Sequence, residues 1–259
     1  MKTFPAKKLQ INLEKVDKIK HLLDLTLRLI TFSRKHHADD LLDAYITKTT
    51  QLKELLSIKN AQMEAETEEE AELYTKLLGT TLDFISNEIL EDVQFNSELQ
   101  LFQLFRLISP DSHSKHPNKY RQSDVQIGSY ICPEAHRIPS LVAELFHQMK
   151  QIENPIIRAI YFHHELIRIH PFVDGNGRTT RMAKNWILMY KFCPPIFIST
   201  SKEKKEYIET LEKSFVYLSE GTYEWNDYLE LFFEQELNRI IKNASEVYYT
   251  VKEIGNKRN

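Results

Sequence analysis

Within twelve positions the chain places a histidine (His170), an aspartate (Asp174), a Gly-Asn-Gly run (Gly175, Asn176, Gly177) and two arginines three residues apart (Arg178, Arg181). Pro171 lacks an N–H and clashes with the turn before it, so a helix entering from Pro155 ends at His170. A second helix starts near Gly177. The first N–H groups of a helix have no partner within it, and its dipole favours an anion there. Glycines at 175 and 177 let a ligand approach the backbone, which makes a phosphate cradle. Arg178 and Arg181 in the first turn oppose the dipole, at ~0.3–1 kcal/mol each, unless an anion sits between them. Asp174 can hold a Mg2+ ion that bridges phosphate oxygens. His170 can take the proton of an incoming hydroxyl. Together these residues point to phosphoryl or nucleotidyl transfer.

Taken singly, each residue has a plainer reading. A histidine at a corner is more often structural, and an aspartate before glycine is usually a turn or cap. Their convergence in this order is what favours chemistry. His163, His164 and His170 lack the H-E-x-x-H spacing of a zinc helix, so His163 and His164 read as packed or hydrogen-bonded. Cys132 and Cys193 are too few for a disulfide framework or a cysteine zinc site.

The elements that must carry this loop read as helices. Apolar residues recur at helical spacing over Leu9–Ser33, Leu41–Leu56, Leu78–Leu90, Leu99–Leu107 and Arg137–Lys150. The acidic run Glu64–Glu72 reads as a solvated helix face, and Lys202, Lys204 and Lys205 as a solvated helix start. Ser109–Lys119, polar with two prolines, reads as a loop. Ser123–Cys132 is the one period-two segment, a short hairpin or edge strand.

The 259 residues carry 34 Lys+Arg against 37 Asp+Glu, a net charge of -3, which offers no basic field for nucleic acid or an anionic membrane. No apolar run approaches the ~18–20 residues of a membrane span, and the N-terminus lacks an apolar signal core. With 42% hydrophobic and 27% charged residues the expectation is a globular cytoplasmic protein with no nucleic-acid or membrane partner.

The run His170-Pro-Phe-Val-Asp174-Gly-Asn-Gly-Arg178-Thr-Thr-Arg181 resembles the Fic (Fic/Doc) family, whose signature HPFx[D/E]GNGRxxR it matches at every fixed position. FHHELIRIH before it, MAKNWILMY after it, and Tyr120-Arg121 with Val125-Gln126-Ile127-Gly128 also look like the family. The resemblance covers roughly 95–240. It implies an all-α fold: a Fic-type helical bundle with a short β-hairpin flap and an N-terminal helical extension. The expected divisions are 1–94 for the N-terminal helices, 95–243 for the Fic core and 244–259 for a C-terminal helical tail.

The resemblance also implies an adenylyltransferase, moving AMP from ATP to a Ser, Thr or Tyr hydroxyl of a protein with pyrophosphate leaving. His170 would be the base and Asp174 the Mg2+ ligand. Asn176 with the backbone of Gly175 and Gly177 would line the anion hole, Arg178 and Arg181 would meet the outer phosphates, and Phe172 would anchor the loop. Val125, Gln126, Ile127 and Gly128 would be a flap edge that docks the target segment by main-chain hydrogen bonds. Many relatives carry an inhibitory helix, [S/T]xxxE[G/N]. The preferred counterpart is Asn60-Ala-Gln-Met-Glu64-Ala65, ahead of Thr50/Glu54 and of Glu253, with Glu64 pairing Arg181; an exposed helix carboxylate is the competing reading. Tyr207 and Tyr223 fall either near the nucleotide base or in core packing. The alternatives are transfer of another phosphate-containing group (another nucleotide, phosphate or phosphocholine) or a silent interaction protein. Self-modification and oligomerisation are left open.

Overall fold

A computed structural model describes residues 2–36, 39–117, 119–221 and 223–256. Side-chain caps set several helix starts. Asn12 accepts from Lys15 N–H ahead of α1 (Leu13–Lys35), and α2 covers Asp40–Glu64. The acidic run expected as one helix face is instead broken. Ala65 turns extended, Thr67 accepts from Glu70 N–H, and α3 (Glu68–Leu90) begins with Glu68, Glu69 and Glu70 in its first turn. Three carboxylates at that end complement the helix dipole, which the charge run alone did not reveal.

A capping box between Ser97 and Gln100 opens α4 (Glu98–Ile108). The expected loop 109–119 contains a short helix, α5 (Pro110–Lys115), because proline suits the first helical position; Asn118 lies outside the described residues. The hairpin is small: β1 (Gln126–Ile127) pairs antiparallel with β2 (Tyr130–Ile131), with Gln126 opposite Ile131 and Ile127 opposite Tyr130. Gly128, expected on the strand edge, is the first turn residue, with a φ of 57°. A two-residue hairpin turn favours glycine at that position. Val125 precedes the strand, and its carbonyl accepts from Cys132 N–H at 3.0 Å.

Four helices complete the chain to residue 219: α6 (Ile138–Lys150), α7 (Pro155–Ile169), α8 (Asn176–Met189) and α9 (Ser201–Ser219). The last helix, α10 (Asp227–Asn256), runs unbroken through residue 243, so the expected C-terminal tail continues a core helix. The fold is all-α apart from the hairpin. One hydrophobic cluster draws on Phe4 and Val16 as well as Ile240, so the N-terminal helices and the later ones share a core. α1 packs along α10, and α2 packs against both α3 and α10. Among the described residues no helix is long and apolar enough to cross a membrane.

Helix α7 is the central element, with thirteen of its fifteen residues buried, and α8 packs along it. Its buried polar groups therefore need buried partners. His164 meets Glu165 at 2.9 Å and Ser214 at 2.9 Å, and Glu165 holds Arg168 at 2.5 Å and Phe4 N–H at 2.9 Å. Burial alone would raise the Glu165 carboxyl, but Arg168 and His164 outweigh it and hold it at about 2. The corner between α7 and α8 is thus mounted on a buried, hydrogen-bonded frame.

Candidate active site

His170 caps α7 in the left-handed region, at φ 52° and ψ 61°. Non-glycine residues adopt that conformation only when the surroundings impose it. Arg121 supplies the constraint. Its Nε donates to the His170 carbonyl at 2.7 Å, its Nη1 to Ser123 O at 2.7 Å and its Nη2 to Pro133 O at 2.7 Å. Its backbone N–H also donates to Pro171 O at 2.9 Å. Phe172 is driven into the core, stacked on Phe105 at 4.0 Å between centroids. Asn176 closes the loop on itself: its Oδ1 accepts from Phe172 N–H and its Nδ2 donates to Phe172 O, each at 2.8 Å. The Asn176 side chain thus staples the loop. Gly175 sits at φ 72° against the Ser109 hydroxyl, where a Cβ would collide. No side chain caps α8, whose first residues line a pocket of about 300 Å³ together with His170 and Arg181.

Both arginines are buried and both meet Glu64. Arg181 Nη2 donates to Glu64 Oε1 at 2.5 Å, and Arg178 Nε lies 3.0 Å from Glu64 Oε2. The carboxylate therefore occupies the position between two cations that an anion would take. Arg178 is further held by Asp174 Oδ2 at 3.1 Å. The Tyr74 ring also faces Arg178, its centroid 3.7 Å from the guanidinium carbon. That contact is a cation–π pair. Glu64 is in the last turn of α2, and Lys204 Nζ secures that turn by donating to Met63 O at 2.5 Å. Asp174 remains largely exposed at the pocket mouth, with its side chain 58% accessible. Among the described residues no group of three or more His, Cys, Asp or Glu could cage a metal ion.

Burial, reinforced by the nearby Arg121 cation, pushes the His170 imidazole down to about 4. The ring is therefore neutral near pH 7, the form that accepts a proton. Ile167, Ile208, Leu211 and Phe215 give the pocket an apolar wall suited to a planar ring, and Ile127 of the hairpin reaches it. Glu212 Oε1 accepts from both the N–H and the hydroxyl of Ser129, each at 2.7 Å, and so ties the hairpin turn to α9 across this pocket.

Residues 96–188 match the family model described as Fic/DOC family. The chain carries a Fic/DOC domain. A relative named protein adenylyltransferase Fic from Drosophila persimilis is 26% identical over 141 residues, 52% of this chain and 27% of that protein. This chain thus matches only about a quarter of that relative's length. The fold is similar to a Fic domain-containing signaling protein from Bacteroides thetaiotaomicron, with a TM-score of 0.71, 20% identity and coverage of 91% of this chain and 98% of that one. It is also similar to IbpAFic2 solved covalently tethered to Cdc42, with a TM-score of 0.56, 17% identity and coverage of 90% and 72%.

In this Fic/DOC domain the residues singled out from sequence, His170, Asp174, Gly175, Asn176, Gly177 and Arg181, line one pocket with Glu64, while Arg178 pairs with Glu64 and Asp174. Of the flap, Ile127 lines the pocket and Gln126 is exposed. Glu54 and Glu253 are exposed on helices. His163 and His164 are packed and hydrogen-bonded, each to a different carboxylate. Tyr207 is both buried and pocket-lining, whereas Tyr223 accepts from Lys2 N–H at 2.8 Å, at the N-terminal segment. Sequence reasoning missed Tyr74 and Glu212, and it grouped Lys204 with exposed neighbours although Lys204 turns inward. No local pattern marks any of the three, since each gains its role from a partner distant in the chain.

Proposed function

We propose that the chain is a protein adenylyltransferase restrained by its own Glu64. The observation that carries this is the convergence, on one pocket, of a neutral histidine, the uncapped start of α8 and two buried arginines already bridged by a carboxylate. ATP would place its outer phosphates where that carboxylate sits. The neutral His170 imidazole takes the proton of a target hydroxyl, whose oxygen attacks the α-phosphorus. The bond to the β-phosphate oxygen breaks and pyrophosphate departs, held by Arg178 and Arg181. The purine or another base lies against the apolar wall.

The exposed carboxylate of Asp174 fits a Mg2+ ion brought in with the triphosphate, since Mg2+ is commonly held by one or two carboxylates plus substrate phosphates. Such an ion would neutralise charge between the α- and β-phosphates. The acceptor would be a Ser, Thr or Tyr of a protein segment laid along β1 beside Ile127. The names of the Drosophila relative and of the Cdc42-tethered neighbour support a protein as acceptor.

The test is incubation of the purified chain with labelled ATP and Mg2+, comparing wild type, His170→Ala and Glu64→Gly by intact mass. The expected outcome is added AMP, on the chain itself or on a supplied protein, greatest in Glu64→Gly and lost when His170→Ala is combined with it. Equal modification with and without His170 would overturn the role of the base. No modification in any variant, with ATP bound, would overturn adenylyl transfer.

A further inference from the structure

Beneath Arg181 lies a buried polar network that the proposed chemistry leaves unused. Glu236 is fully buried in α10. Its Oε2 accepts from Lys184 Nζ at 2.6 Å and faces His163 Nδ1 at 3.3 Å, and its Oε1 accepts from Arg239 Nη1 at 2.6 Å. On the other side of the His163 ring, Nε2 is 2.8 Å from the Tyr207 hydroxyl. Tyr207 lies beside the buried Arg181 cation, and the two line the same pocket.

The chemistry of these groups allows one polarity. Burial would raise the Glu236 carboxyl, but Lys184, His163 and Arg239 outweigh it, so it is an ionised acceptor. His163 must then carry its proton on Nδ1 and present a lone pair at Nε2. Only the Tyr207 O–H can donate to that lone pair, which leaves the phenol oxygen's own lone pairs free for a donor such as the adjacent Arg181. A guanidinium has donors and no acceptor, so it completes the chain and cannot reverse it. With Lys184 and Arg239 against one carboxylate, the floor also carries net positive charge, which favours an anion above it.

We propose that Glu236, His163 and Tyr207 are positioning residues for triphosphate recognition: a directed hydrogen-bond relay that holds the Arg181 guanidinium aimed at the terminal phosphate once Glu64 has left. This rests on the nucleotide reading of the pocket. Glu64 bonds Arg181 directly and Tyr207 lies beside it, but only Glu64 competes with the ligand. The relay therefore matters most in the active state, where it leaves the arginine pre-oriented and spares its ordering on binding.

The test is made in the Glu64→Gly background, with the non-hydrolysable β,γ-methylene analogue of ATP and with AMP as probes, by calorimetric titration. Tyr207→Phe removes one oxygen from a buried ring and should keep the fold, which thermal unfolding checks. Expected is an approximately tenfold loss of affinity for the ATP analogue, the worth of one hydrogen bond to a charged group, with AMP affinity unchanged. His163→Leu should match that loss, while His163→Gln, which returns an acceptor to the phenol, should recover most of it. The Tyr207→Phe/His163→Leu pair should lose no more than either change alone, because they break one chain.

Arg181→Ala separates the two readings. If Arg181→Ala does not lower the preference for the ATP analogue over AMP, the nucleotide reading itself fails. If it does and Tyr207→Phe leaves both affinities unchanged, or weakens both equally, the relay is overturned.

Discussion

The Nε of Arg121 donates to the carbonyl of His170 across 2.7 Å, joining the root of the hairpin to the corner that carries the proposed base. Three of the guanidinium N–H groups end on backbone carbonyls of three different segments, so one side chain sets the left-handed turn at His170 and the position of the residues leading into β1. Lysine has the charge but not the planar fork. Arg121→Lys should destabilise the fold by about 2 kcal/mol or more, because buried carbonyls lose their donors. It should also lower transfer activity in the Glu64→Gly background. Chemical denaturation and the intact-mass assay read the two effects, and an unchanged rate would show that the corner holds its shape without Arg121.

Glu64 is the shared partner of both pocket arginines. Its removal leaves two buried cations facing each other in an open cradle. Glu64→Gly should therefore lower the melting temperature in dilute buffer, and added pyrophosphate should restore it more strongly than it stabilises wild type, since a ligand of the folded state stabilises by mass action. Glu64→Gln, which keeps the shape but not the charge, should fall between the two. Equal pyrophosphate shifts in wild type and Glu64→Gly would show that the carboxylate does not exclude anions.

His170 is held near 4 and His163 near 3, both below the ~6.5 of an unfolded chain. Between about pH 6.5 and 4 the unfolded chain takes up protons that these folded imidazoles refuse. Stability therefore rises with pH through that window and is lost as pH falls through it. His170 should contribute up to about 1.4 kcal/mol per pH unit there. Urea unfolding at pH 7, 6 and 5 should show a shallower decline for His170→Gln than for wild type, and identical slopes would contradict the depressed imidazole. For the same reason, transfer by Glu64→Gly should keep its base competent below pH 6.

Glu212 secures the hairpin turn through Ser129, and the two hydrogen bonds hold its carboxyl below the usual carboxylate range. Glu212→Ala should free the turn without touching the phosphate cradle. In the Glu64→Gly background it should reduce modification of a protein acceptor several-fold, while the pyrophosphate-induced thermal shift stays the same. Loss of both readouts together would mean that the hairpin is part of the nucleotide site and not only of acceptor docking.

Much of this was legible from short stretches of chain. Pro171 stops α7, the glycines flanking Asn176 begin α8, and both effects come from neighbouring residues acting through backbone geometry. The cradle at 170–181 was therefore readable, as was the all-α character, which rests on apolar spacing repeated over many turns. The break in the acidic run at Ala65–Thr67 and the helix at 110–115 were less so, because capping decides them within one or two residues.

The tertiary structure decided between the readings of what sits opposite the cradle. Glu64 lies 117 positions from Arg181: its likeness to an inhibitory motif favoured it over Glu54, but its meeting with both arginines depends on how α2 packs and points its last turn at α8. Arg121 on three carbonyls, Lys204 on Met63 and the line from Glu236 through His163 and Tyr207 to Arg181 are of the same kind. Local sequence encodes the elements and the chemistry on one loop, because steric and capping forces act over a few residues. Which distant charge or hydroxyl meets that loop depends on how the helices pack, and packing is settled by the whole apolar core at once.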